Sequence, residues 1–186
     1  MSKILLSPST ALAPVPAVMI SSGDSIENYN IMTASWTGLV CSRPPMTYVS
    51  MRPATLSHGI LMEKKEFVIN LTPVELMETM DWVGRISGRD ANKWEQKGLT
   101  PIAGTYVKAP LIQECPVNIE CNVKQILELG SHFMFLAEIV AVHADECYVQ
   151  NNRLALSQFT TVANVGADYH LVGEAVAPMG FSKKSE

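Results

Sequence analysis

Val117-Asn118-Ile119-Glu120-Cys121-Asn122-Val123-Lys124-Gln125-Ile126-Leu127 and His132-Phe133-Met134-Phe135-Leu136-Ala137-Glu138-Ile139-Val140-Ala141-Val142-His143 are the two stretches that decide the fold of this 186-residue chain. Both are alternating or β-branched, and neither holds Pro or Gly. Only Glu128-Leu129-Gly130-Ser131 separates them, which is short enough for a turn, so they read as one long antiparallel hairpin.

Working outward, residues 14–22 read as a Val- and Ile-rich strand, and Gly23-Asp24 opens a polar connection to a second strand at 29–36. Pro44-Pro45 punctuates the chain before a third strand at 46–52. Alternation there puts Met46, Tyr48, Ser50 and Arg52 on one face and Thr47, Val49 and Met51 on the other. A helix is expected at 53–64, with Pro53 in its first turn and Leu56, Ile60 and Leu61 along one side, although Gly59 opposes it. A strand at 67–71 follows. Thr72-Pro73 then opens a helix with the stripe Leu76, Met80 and Val83. Asp90 is expected to cap a short helix running through Trp94 towards Gly98. Beyond the hairpin come short strands at 148–149, 154–156 and 157–162, and a tail with Lys183-Lys184. The expected fold is mainly β: an antiparallel barrel with two or three short helices, in a single domain over 1–186.

Hydrophobic residues make up 47% and charged residues 17%, enough for one core without disulfides or metals. A formal charge of −4 excludes a global positive field that would gather nucleic acid or anionic lipid. Ile4-Leu5-Leu6 and Ala11-Leu12-Ala13 imitate an export signal, but Ser7-Pro8-Ser9-Thr10 interrupts the apolar core that a signal requires. Every other apolar run is cut by charge, Pro or Gly, so no membrane span is expected and the cytoplasm is the expected compartment. Cys41, Cys115, Cys121 and Cys147 then stay thiols, and Cys115 and Cys121 lack the spacing of a zinc pair. No metal is expected.

Fingerprints for dinucleotide crevices, P-loops, nucleophile elbows and zincins are missing from the sequence. His58, His132, His143 and His170 are scattered, and none is assigned proton transfer. Hydroxyls, by contrast, are dense in two places. In Asn30-Ile31-Met32-Thr33-Ala34-Ser35-Trp36-Thr37, alternation puts Thr33, Ser35 and Thr37 on one face, either as partners for a flat polar ring or as a solvated strand surface. At the end of the third strand, Ser50, Arg52, Thr55 and Ser57 offer four donors that converge on one anion if the next helix begins near Pro53. The alternative is an ordinary cap by Thr55 with Arg52 on the surface. A phosphate beside a ring-binding strand suits a phosphorylated ring cofactor, and spacing does not separate a flavin from pyridoxal phosphate.

At these segments the chain resembles the flavin reductase-like FMN-binding proteins, including flavoredoxins and archaeal ferric reductases. The resemblance is collinear through Pro14-Val15-Pro16-Ala17-Val18, Asn30 to Gly38, Pro44-Pro45, Ser50-Met51-Arg52-Pro53, His58 and Glu66-Phe67-Val68-Ile69-Asn70-Leu71. It continues through Ser87-Gly88-Arg89-Asp90 and Gly98-Leu99-Thr100 to Tyr169-His170-Leu171-Val172-Gly173-Glu174. It implies a split β-barrel homodimer holding FMN near the subunit interface, with electrons arriving from NAD(P)H or a redox protein. It also implies that Thr33, Ala34, Ser35 and Trp36 lie along the ring, that Ser50, Met51, Arg52, Thr55 and Ser57 gather the phosphate, and that Asn70 and Lys93 stand at the ligand's edge. Where close relatives often carry a second Arg in the phosphate segment this chain has Thr55, which leaves Lys93 as the candidate replacement. Three roles follow: an FMN-dependent oxidoreductase, an electron carrier serving a partner protein, or a barrel acting through protein contacts with its ten methionines.

Overall fold

The computed structural model describes residues 1–156 and 159–183. Its first strands are β1 (Val15–Pro16), β2 (Val18–Ser22), β3 (Asn30–Ala34), β4 (Thr37–Ser42) and β5 (Pro45–Met51). The middle third holds α1 (Leu56–Lys64), β6 (Glu66–Leu71), α2 (Met77–Arg85) and α3 (Lys93–Lys97). Then come β7 (Pro101–Ile102), β8 (Leu111–Ile112) and the long pair β9 (Val117–Glu128) and β10 (Phe133–Ala144). The chain closes with β11 (Val149–Gln150), β12 (Arg153–Leu154), β13 (Val162–Val165) and β14 (Asp168–Leu171).

A seven-stranded sheet runs in the order β3-β2-β6-β9-β10-β5-β4, antiparallel at every pairing. Its two outermost strands are consecutive in the chain, joined only by Ser35 and Trp36. Laid flat, six strand spacings would hold those edges about 29 Å apart. From Ala34 to Thr37 the chain spans at most about 11 Å. The sheet therefore curls until its edges meet, and the barrel is split between β3 and β4, where Ser50 N–H donates to Trp36 C=O at 2.9 Å. Two register shifts between β9 and β10 help bend the longest strands around this curve.

Inside the curl, Ile20, Val49, Met51, Phe67, Phe135 and Ala137 pack as the main core. A second cluster lies outside it, where α2 lays Met80 and Val83 against Met19 and Ile31. β2 is thus buried on both faces, which explains the apolar run Val18-Met19-Ile20 before its buried serines, Ser21 and Ser22. The expected strand at 14–22 breaks at Ala17, because β1 leaves to pair with β13 in a three-stranded sheet.

Other boundaries shift for identifiable reasons. α1 starts at Leu56 rather than near Pro53, with Thr55 as its cap and Arg52 exposed, which is the alternative reading of that segment, and Asn92, rather than Asp90, caps α3 by accepting from Trp94 N–H. Gly98 ends α3 at φ 62°, a conformation that suits Gly. The helix expected after Thr72-Pro73 begins as a 3-10 turn at Val74–Leu76, and α2 then buries Met80 and Val83. β4, β13 and β14 were not expected, because β4 is an exposed edge without a buried face and the last two are short. Ser157 and Gln158 of the strand expected at 157–162 lie outside the described residues. Among the described residues no helix is long and apolar enough to cross a membrane.

A buried polar layer covers the outer face of β6 and β9. Fully buried Glu120 accepts from the backbone N–H groups of Thr105, Tyr106 and Val107 at 2.8, 2.7 and 2.7 Å, and His143 Nε2 lies 2.5 Å from its carboxylate. Burial pushes this carboxyl up, but the hydrogen bonds it accepts outweigh burial and hold it below the usual carboxylate range. A depressed folded value stabilises the protein above the unfolded carboxyl pKa, and that stabilisation is lost as pH falls through the folded value. In urea melts between pH 7 and pH 3, Glu120→Gln should be less stable than wild type at pH 7 and lose less stability on acidification. An unchanged acid limb in the variant would remove Glu120 from this role.

Candidate functional site

The entrance to α1 builds one wall of a cavity of about 240 Å³. Thr55 is extended at the N-cap, where its hydroxyl accepts from His58 N–H at 3.2 Å and donates to Arg52 C=O at 3.0 Å. That hydroxyl serves the cap, and the Leu56 and Ser57 N–H groups remain at the helix end. Ser57 is fully buried and accepts from Asn30 Nδ2 at 2.8 Å. Arg52 sits just past β5, exposed, on the rim.

The opposite wall comes from α2 and the segment after it. A Cβ at Gly84 would lie 2.8 Å from Thr33 Cβ, and one at Gly88 would lie 2.1 Å from Asn30 Oδ1, so both close approaches need glycine. Lys93 reaches this cavity from α3 with only 4% of its surface exposed. Its Nζ donates to Ile31 C=O at 2.7 Å and to Val83 C=O at 2.6 Å. Burial pulls its pKa down to about 8. Arg52, Arg85 and Lys93 all line this space and, among the described residues, no carboxylate does, although Arg85 is largely exposed and also pairs with Asp81 at 3.5 Å. The helix end adds only ~0.3–1 kcal/mol towards an anion, whereas a hydrogen bond to a charged group contributes ~1.5–3 kcal/mol, so the side-chain cations dominate.

A second cavity, of about 510 Å³, is mainly apolar and aromatic. Trp36, 41% exposed, lies with its ring centroid 4.5 Å from that of His132 at an interplanar angle of 34°. Tyr48, Ser50 and Met134 form the sheet side, and Thr10, Leu12 and Pro14 of the N-terminal arm form the other. Thr33 and Arg52 line the first cavity, and Ser35 and Ser50, each two residues away, line the second. Two residues of strand span about 7 Å, which sets the spacing between the cavities.

The expected site residues divide accordingly. Arg52, Thr55, Ser57, Thr33 and Lys93 come together at the first cavity; Ser35, Trp36 and Ser50 come together at the second. The expected convergence of Ser50 with Arg52, Thr55 and Ser57 on one anion is corrected: Ser50 faces the aromatic cavity. The hydroxyl-bearing face expected of Thr33, Ser35 and Thr37 is also corrected, because the strand ends at Ala34 and each hydroxyl has a partner within the fold. Thr33 donates to Met80 C=O, Ser35 accepts from Asn164 Nδ2, and Thr37 donates to Tyr48 C=O at 2.5 Å. Ala34 and Met51 turn their side chains into the main core. Asn70 lines neither cavity. It is the hub of the buried polar layer, donating to Met19 C=O and Ser21 Oγ and accepting from Ile112 N–H and Asn118 Nδ2.

Comparison with known proteins places this geometry. The family described as "Flavin reductase like domain" matches residues 11–163. The chain belongs to the flavin reductase-like family. Among solved structures, it is similar to the flavoredoxin of Desulfovibrio vulgaris (Miyazaki F), with 31% identity, coverage of 98% of this chain and 100% of that one, and a TM-score of 0.89. A flavoredoxin from Methanosarcina acetivorans has the same fold at 22% identity and a TM-score of 0.90, over 98% of this chain and 97% of that one. An uncharacterized protein of Archaeoglobus fulgidus is 35% identical over 135 residues, 72% of this chain and 75% of its own length.

Within this flavin reductase-like barrel, sequence reasoning missed Arg85 and His132. Arg85 is the last residue of α2, where a basic side chain is read as a helix-dipole partner. His132 borders the hairpin turn, and the long-range pairing of β10 with β5 beside β4 brings it to Trp36. Asn70→Ala should cost about 1–3 kcal/mol in urea denaturation, since it strands buried partners. The folded variant should keep its ligand affinity; a large loss of affinity at unchanged stability would return Asn70 to the site.

Proposed function

We propose that this chain is a single-domain FMN-binding oxidoreductase that passes electrons from NAD(P)H or another reduced donor through bound FMN to an acceptor. The observation that carries this reading is a cavity with three cations and no carboxylate, about one strand step from an aromatic cavity. A ligand with a dianionic head and a flat ring matches that pair. Arg52, Arg85, Lys93 and the Leu56 and Ser57 N–H groups would hold the phosphate, and the Trp36–His132 pair would lie beside the ring. Bound FMN would supply the hydride and electron chemistry, and the protein would position it and limit water.

FMN fits better than a dinucleotide. Beyond Asn30, Gly88 and Lys93 lies a polar basin of about 330 Å³ that carries Glu27 and Asp90 beside Arg89. A second phosphate extended there would meet two carboxylates against that one arginine. The flavoredoxin likeness at 31% identity agrees with this choice.

A homodimer belongs to the same reading. Trp36, Leu39, Val40 and Leu129 expose 41%, 81%, 50% and 56% of their surfaces, and β4 is a sheet edge. A second copy would cover them. The alternative role, an FMN electron carrier serving a partner protein without small-molecule turnover, rests on the same site.

An anaerobic absorbance titration with FMN, then NADH, NADPH and reduced ferredoxin in turn, tests the proposal. Stoichiometric FMN uptake followed by bleaching with a nicotinamide donor is the expected result. Bleaching by ferredoxin alone would favour the carrier, and failure to take up flavin would leave a barrel acting through protein contacts. Arg52→Ala should weaken FMN about tenfold, equivalent to ~1.4 kcal/mol, and leave riboflavin unaffected. Equal losses for both ligands would contradict the phosphate assignment.

A further inference from the structure

Lys93 is an unusual cation for a cavity wall. It is 4% exposed, its ammonium is held by two backbone carbonyls, and it lines both the anion cavity, which has no carboxylate among the described residues, and the polar basin that carries Glu27 and Asp90. Its two acceptors belong to different elements, Ile31 to β3 and Val83 to α2, so the side chain is fixed where the anion cavity narrows between them. A buried ammonium supported only by neutral dipoles is costly, and a nearby anion changes that balance.

We infer that Lys93 couples capture of a phosphate dianion to uptake of a proton, so that the cavity grips its ligand fully only while this lysine is charged. The inference rests on the FMN reading of the site. The groups that face Lys93 from the surrounding elements are Arg85 from α2, Arg52 from the β5–α1 junction, and Arg89 and Asp90 from the segment before α3. Glu27 and Tyr29 face it across the polar basin, and β3 offers no ionisable side chain. The arginines remain charged throughout the accessible range. Burial is what opposes charging of Lys93, and a bound anion would offset it.

The sign of the linkage follows. Without ligand, Lys93 loses its proton as pH rises through about 8. A bound dianion stabilises the ammonium and raises that value, so binding between the two values takes up a proton, and affinity falls as pH rises through the interval. Below about pH 6 the phosphate itself loses its second charge. Tight binding is thus confined to a window from about pH 6 to pH 8.

The test is flavin-fluorescence titration of the full chain with FMN and with riboflavin from pH 6.5 to 9.5, with calorimetry at pH 8.5 in two buffers of different ionisation enthalpy. Wild type should lose about tenfold in FMN affinity per pH unit above 8.5 and take up a substantial fraction of one proton, while riboflavin affinity stays level. Lys93→Met should bind FMN more weakly at pH 7 and show no further decline above pH 8; Lys93→Arg should restore alkaline binding. A wild-type decline that persists in Lys93→Met, or no proton uptake by wild type, would overturn the coupling while leaving FMN binding intact. Absence of FMN binding at every pH would instead strike the flavin reading, and the same calorimetry with inorganic phosphate would then decide whether Lys93 takes up a proton.

Discussion

The two-residue link Ser35-Trp36 between the edge strands of a seven-stranded sheet is the constraint on which the molecule is built. It forces the sheet to curl, and the curl brings the end of β3 beside β5, where Ser50 N–H meets Trp36 C=O. The first cavity opens on one side of that meeting and the second on the other. His132, far from Trp36 in sequence, reaches its ring because β10 pairs with β5 and β5 with β4.

Electrostatics then differentiates the cavities. The protein carries a formal charge of −4, yet one cavity gathers Arg52, Arg85 and Lys93 without a carboxylate. Asp81 stands 3.5 Å from Arg85 on its rim, and Glu27 and Asp90 stand in the adjoining basin beyond Asn30 and Gly88. Affinity for an anion is therefore local, and its limit is local too. Gly84 and Gly88 allow the walls to approach Thr33 and Asn30 closely, which keeps the space near 240 Å³. The fold and the chemistry meet at Lys93, whose ammonium ties β3 to α2 and faces the same cavity.

Much of the fold was legible because its periodicities were strong. The β9–β10 hairpin, the α2 stripe of Met80 and Val83, and β5 with its alternating faces follow directly from side-chain pattern. β4 was not legible, since an edge strand exposing Leu39 and Val40 carries no buried face to announce it. The site was legible in part. Arg52, Thr55 and Ser57 lie close in sequence, so a short span of chain fixes their grouping, whereas Arg85 and His132 enter through long-range packing. Asn70 misled because a polar residue in an apolar strand suggests a ligand contact equally with a buried network. Its partners Ile112 and Asn118 come from segments whose approach no local pattern reveals.

The most direct measurement of the central claim is a crystal structure of the chain grown with FMN. The account predicts the phosphate enclosed by Arg52, Lys93 and the first turn of α1, with the ring directed towards Trp36 and His132. A phosphate bound elsewhere, or a ring seated where the account puts the phosphate, would contradict it.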